Sequence, residues 1–430
     1  MFLQLIWCVF NFCMKNKDMF KTLSFPLWII VLVIGLPLFA ETIYTPSLPN
    51  IAIELNSTPP IVEFTLTIYL IGFAIGTFFW GHLSDRIGRK NSLLSGLIFF
   101  ILGCIFCYYS YSITELMISR FIQAFGGSAG SVLGQAICRD AFTGAKLGKV
   151  YSIIGVALSI FPAIGPLTGG IIAEHDTWHS IFIVLSAFGV LAAIFVIIML
   201  PETLTKDNRK NIPITGVMLQ MRQDRKVLGF AVIIGICNGI LFSYFAEGAF
   251  YLIKLLGLSP SQYGFSFTMI AVSAMLGGLI SNRLQGLIPQ IKIMKYGILV
   301  MVFSTICFTV FIMIYHFNST LSESVLIRII IISQMILRVG ATMVVGNALS
   351  LGLADYTKCI GTASSIFNFI YYMLISLCTF IMGALHNGTL IPMPLYFLCL
   401  TLLMFYIYKI ITKELPVRTE PLQIINSTDI

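Results

Sequence analysis

Two glutamates sit inside long apolar runs: Glu41 in "FAETIY" (39–44) and Glu247 in "FAEGAF" (245–250). An ionisable side chain at bilayer depth costs ~2.5–3.5 kcal/mol even on a lenient insertion scale, so it faces a cavity or a partner and not lipid. Two arginines have similar settings, Arg120 closing "ELMISR" (115–120) and Arg328 closing "ESVLIR" (323–328). Reversible proton binding is the chemistry such a set can do. Burial favours the neutral carboxyl and a nearby guanidinium favours the ionised one, so together they can leave an acid poised to titrate. Glu41 is then the proton carrier, competing with substrate, with Arg120 setting its proton affinity. The plainer reading is a structural ion pair between them. For Glu247 three roles stay open: binding a cationic substrate group, a second proton site, or pairing with Arg328. Tyr44 and Gln123, near the first pair in sequence, are candidates for substrate contact, and Arg338 has no partner that sequence identifies.

The elements that must hold these groups are membrane helices. With mean hydropathy +0.94, 58% apolar and only 10% charged residues over 430 positions, the chain lies far outside the soluble range. About twelve runs are long enough to cross ~30 Å of hydrocarbon. They lie near 25–48, 61–80, 92–111, 115–137, 149–172, 179–200, 228–253, 263–284, 292–314, 323–349, 360–385 and 391–411. Helical rise puts Glu41 ~10 Å and Arg120 ~8 Å from the same end of spans 1 and 4, hence level, and Glu247 and Arg328 repeat the arrangement.

A net charge of +8 raises the question of nucleic acid, and the placement of the charges excludes it. Every Lys and Arg except Arg120, Lys254, Arg328 and Arg338 falls on one side if both termini are cytoplasmic, the positive-inside pattern held through all the alternations. None of the ten cysteines lies in a short external loop, so no disulfide framework is expected, and the C-x-x-C of Cys104 and Cys107 reads as small packing residues inside span 3. "HDTWH" (175–179) spaces two histidines as a zinc site would, but it occupies a short turn with no third ligand in view, so no metal and no cofactor are expected.

Organisation follows from charge density and repetition. Residues 1–24 form a tail whose first part is apolar but too short to span, with Met14 or Met19 as possible true starts; 25–200 is a six-span unit; 201–227 is a charged linker, with a surface helix near 214–226; 228–411 is a second six-span unit; 412–430 is a tail. Internal echoes relate the two units: "GHLSDRIG" (81–88) and "GLISNRLQ" (278–285), the two "FAE" segments, and the two Glu–Arg segments, each about two hundred residues apart.

Residues 81–90, "GHLSDRIGRK", resemble the loop signature G-x-L-[SA]-D-R-x-G-R-[KR] of the major facilitator superfamily, between spans 2 and 3. Gly81 and Gly88 allow the tight turn, Asp85 can cap a helix or pair with arginine, and Arg86, Arg89 and Lys90 hold the loop in the cytoplasm. "SIFPAIGPLTGG" (159–170) resembles that family's antiporter motif through Gly165, Pro166, Gly169 and Gly170, with Phe161 where a further glycine is usual. With "RFIQAFGGSAG" (120–130), "RDAF" (139–142), "LPETL" (200–204) and "GLSPSQYG" (257–264), the chain is most similar to the Bcr/CflA-like, bicyclomycin-resistance group of drug:proton antiporters.

That resemblance implies an all-α integral membrane fold of twelve transmembrane helices in two pseudo-symmetric six-helix bundles, with spans 1, 4, 7 and 10 lining a central cavity. It implies a proton-coupled exporter of drugs or other small amphipathic molecules, monomeric, multi-pass in the bacterial inner membrane, and not an enzyme. Alternatives are a metabolite exporter or nutrient importer of the same fold, since fold does not fix substrate, and, further off, a lipid-modifying membrane enzyme.

Overall fold

A computed structural model describes residues 26–204, 214–318 and 322–414. The expected tail 1–24, the centre of the linker and nearly all of the tail 412–430 lie outside the described residues. Among the described residues the elements are all helices. In order come α1 (Leu27–Thr42), α2 (Leu48–Glu54), α3 (Pro59–Ile87), α4 (Arg89–Tyr108), α5 (Ile113–Ala141), α6 (Gly144–His175) and α7 (His179–Met199). The linker contributes α8 (Ile214–Gln223), with Met218 and Leu219 half exposed on its surface. There follow α9 (Arg225–Ala249), α10 (Pro260–Leu284), α11 (Gln290–Asn318), α12 (Glu323–Gly352), α13 (Ile360–Leu385) and α14 (Pro392–Glu414).

Setting aside the short α2 and α8, six long helices stand on either side of the linker among the described residues. Ten of these are long and apolar enough to cross a membrane, α2 counting with α1 as one span. The other two are α5 and α6, 29 and 32 residues long. For α5 the reason is its buried face, where Ser119, Arg120, Gln123 and Ser128 dilute the hydropathy of a helix enclosed by its neighbours.

Sequence sets the helix ends where water is near. Ser112 and Glu115 form a capping box at the start of α5, and Ser259 with Gln262 forms another at α10, where Pro260 takes the first-turn position that needs no N–H. Asp224 ends α8 and caps α9, accepting from the N–H groups of Lys226 and Val227. Beyond Ala249 the chain continues as a π-turn, Phe250–Leu255.

The two halves meet along α3 with α13 and α6 with α10. In a bilayer, burial from water cannot drive helices together, so close fit must do it. Along the first seam, rings interleave: Phe64 with Phe380, Phe73 with Tyr372 and Phe78 with Phe369, at centroid distances of 4.7, 4.4 and 5.9 Å. Along the second, contact is backbone to backbone. A Cβ on Gly170 would strike the Pro260 carbonyl, and one on Gly264 the Pro166 carbonyl. Gly170→Val is therefore expected to lower stability by about 1–3 kcal/mol, the usual range for overpacking; a thermal melt in detergent reads it, and an unchanged midpoint would refute the contact.

Candidate functional site

Glu41 lies one residue before the end of α1, below a turn of 3-10 helix, Thr45–Ser47. It is 2% exposed, and its Oε2 has no hydrogen-bond partner. Arg120 projects from α5 beside it and is fully buried. The structure brings the two to one level, since Arg120 Nη1 donates to the carbonyl of Ala40, 3.2 Å away. It does not form the ion pair that is the plainer reading of the sequence. The guanidinium instead lies between two aromatic rings, with Cζ 4.0 Å from the centre of Tyr44 and 4.1 Å from that of Tyr69.

A sandwich of this kind stabilises a desolvated cation by about 2 kcal/mol or more per ring. It is fixed from outside: Arg120 Nη1 donates to Gln123 Oε1, Gln123 Nε2 to Cys104 Sγ at 3.0 Å, and the Tyr69 hydroxyl to the carbonyl of Pro37 at 2.9 Å. The Tyr44 hydroxyl meets Thr65 Oγ1 at 3.2 Å. Arg120 Nε and Nη2 have no partner. A cation held this rigidly acts on Glu41 through space, not by contact. Tyr69 escaped the sequence reading because nothing in an apolar run marks one tyrosine among seventeen.

The second half does not copy this arrangement. Arg328 is exposed on α12, its Nε donating to the carbonyl of Ser324 at 3.0 Å, so the pairing with Arg328, one of the three roles left open for Glu247, is not formed. The reason is reach: Arg328 is little more than a turn from the start of α12, where a long side chain extends toward the polar boundary. Glu247, near the end of α9 and fully buried, faces His386. Arg338 lies deeper on α12, beside Cys237, Tyr244 and Gln334.

At the α3–α4 turn, Gly88 has φ +102°, a value open to glycine and strained for other residues. Arg89 gathers the acids around it. Its Nη1 pairs with Asp85 at 2.6 Å and its Nε with Asp140 at 3.0 Å. Asp85 thus takes the pairing role, while capping of α4 falls to Glu202, which accepts from the N–H groups of Arg89 and Lys90 at 2.9 and 3.2 Å. Lys90 Nζ donates to the carbonyl of Ile197. Arg86 lies in the same turn, and Gly81 faces Ser365 of α13. The charged network ties α3, α4, α5 and the end of α7 into one half. Glu202→Gln should cost roughly 0.5–1 kcal/mol as the charge at the helix start is lost, measured by denaturation midpoint; a larger fall would mean it bears on more than the cap.

In the antiporter-like segment, Gly165 and Gly169 let α6 close on Thr42 and Ile43 at the end of α1, and Pro166 and Gly170 meet α10. Phe161, where a glycine is usual, fits against Gly35 of α1, whose missing side chain leaves room for the ring. "HDTWH" is built as a turn. Asp176 accepts from Ser180 and from the N–H of Thr177, which hold its carboxyl below the usual range, and His179 stacks on Trp178 at 3.7 Å.

Two helical halves joined along paired seams, with charged groups enclosed at the level of α1 and α5, form an architecture suited to a membrane transporter. The chain belongs to the Major Facilitator Superfamily, whose model matches residues 30–379. It is 33% identical to an uncharacterised transporter of Rickettsia felis, over 85% of this chain and 91% of that one. It is 34% identical to a bicyclomycin resistance protein homolog of Haemophilus influenzae, over 60% of this chain and 66% of that one. Its fold matches that of the xylose transporter XylE from E. coli with a TM-score of 0.71 at 14% identity, covering 92% of this chain and 98% of that one.

Proposed function

We propose that the protein is a proton-coupled antiporter that exports drugs or other small amphipathic molecules across the bacterial inner membrane, with both termini in the cytoplasm. The observation that carries this reading is Glu41, a carboxylate enclosed in α1 with an unpartnered oxygen and no ion pair, beside a cation pinned between two rings. Burial and the Arg120 charge act on its proton in opposite senses, which lets a modest change of surroundings load or release it. Substrate and proton compete for one charge, so binding of the first expels the second. Tyr44, Tyr69 and Gln123 keep the cation in place through both steps. The bacterial drug-resistance name of one relative supports the substrate class.

Alternating access follows from rocking of the two halves about their seams. The test is flux in reconstituted vesicles with an imposed pH gradient, across a panel of amphipathic cations, neutral drugs and zwitterions. Accumulation against the substrate gradient, abolished by collapsing the pH difference, is expected for at least one class; flux indifferent to the pH difference for every compound would refute the coupling.

A further inference from the structure

Glu247 belongs to a cluster that sequence did not bring together. Glu63, in the first turns of α3, and His386, directly after α13, meet it at the end of the molecule opposite the 81–90 turn. His386 Nδ1 is 2.9 Å from both oxygens of Glu247 and 3.5 Å from Glu63 Oε1. Both glutamates are fully buried, and neither oxygen of Glu63 has a hydrogen-bond partner. The ring of Phe250 lies edge-on to His386, and Tyr251 and Tyr263 are the other titratable groups that face the glutamates. Among the described residues no Lys or Arg stands within ion-pair distance of either carboxylate.

We propose that Glu63, Glu247 and His386 form a second proton-binding site, shared by the two halves of the transporter and filled when their ends at this face are together. The argument is a charge count. Without added protons the enclosed set carries two negative charges and no counter-charge, an arrangement that burial penalises heavily. Two protons make it neutral: one on the imidazole, whose Nδ1–H donates to Glu247, and one on Glu63 beside them. Glu63 rides on the first half, Glu247 and His386 on the second. Once the halves part, water hydrates each group and the need for both protons ends. Closing this end therefore takes up protons, and opening it releases them. Given the orientation proposed above, this end faces outward, so external acid closes the gate after substrate has left and returns the transporter toward the cytoplasm. The site is separate from Glu41, on other helices and toward the other end of α3 from the loop motif.

The test uses the full chain in detergent, where both ends meet the same pH and orientation is immaterial. Spin labels at Tyr111→Cys and Phe317→Cys, exposed positions at this end in the first and second halves, report separation in a background with the native cysteines replaced. Between about pH 5 and about pH 8.5, bracketing the ordinary carboxyl and imidazole range, the short-distance population should fall as pH rises. Each linked proton contributes up to about tenfold per pH unit to the ratio. Glu63→Gln should make the response shallower, Glu63→Gln with Glu247→Gln should remove it, and Glu63→Asp should retain it. The response should persist in Glu41→Gln, which separates this site from the one proposed for coupling. A pH-independent distance in the native chain, an unaltered slope in the double variant, or loss of the response in Glu41→Gln overturns the proposal. So does abolition by a chelator, which would assign the cluster to a divalent cation.

Discussion

Vesicles carrying Glu41→Gln are expected to bind substrate and to exchange it across the membrane, but not to concentrate it. A pH difference of one unit supplies about 1.4 kcal/mol per proton, so one-for-one exchange of a neutral substrate can sustain about a tenfold gradient. Glutamine keeps the size and polarity of the side chain and removes the titration. The accumulation ratio should fall from about ten to one, with downhill flux retained. Glu41→Asp, which keeps the acid on a shorter stem, should recover part of the ratio. Measuring the accumulated substrate at several imposed pH differences settles the matter: a gradient that still follows pH in Glu41→Gln would take the proton off this residue.

The second large effect is expected at Arg120. Arg120→Lys preserves the charge but not the planar group between Tyr44 and Tyr69, and a lysine cannot both stack and reach Gln123 and the Ala40 carbonyl. Loss of two cation–ring contacts and of the bonds that fix the group should lower stability by roughly 2–4 kcal/mol. Uphill transport should fall to background even in the protein that remains folded. If Arg120→Lys matched the native chain in thermal midpoint and in accumulation, the charge alone would suffice and the stacked geometry would be incidental.

What was legible in the sequence was whatever depends on local composition. Hydropathy and the periodic alternation of basic loops marked the helices, because a bilayer filters residues one segment at a time. The 81–90 turn was legible because glycine, aspartate and arginine each meet a local demand there, although the capping duty fell to Glu202, more than a hundred residues on. Glu41 and Arg120 stood out as charges in apolar runs. Their relation did not, since the guanidinium stacks on Tyr44 and Tyr69 and forms no ion pair with Glu41. Arg328 misled because a linear echo carries no rotational phase or depth, and a residue near a helix end can turn outward. Glu63 was hidden by its place just after two prolines, where an acid reads as the solvated start of a helix. His386 was hidden in "LHNGT", a plain polar turn. Only assembly of the two halves joins them.

The reciprocal meeting of Gly170 with Pro260 and of Gly264 with Pro166 places the firm crossing of α6 and α10 within the first turns of the latter helix. With main chain against main chain there is no side chain to compress, so this point resists sliding and invites tilting. The remaining length of α10 then behaves as a lever arm of roughly 30 Å at 1.5 Å per residue. A tilt of about 10° at the crossing would swing the far tip by ~5 Å, amplifying a small angular change near one face into a wide displacement at the other.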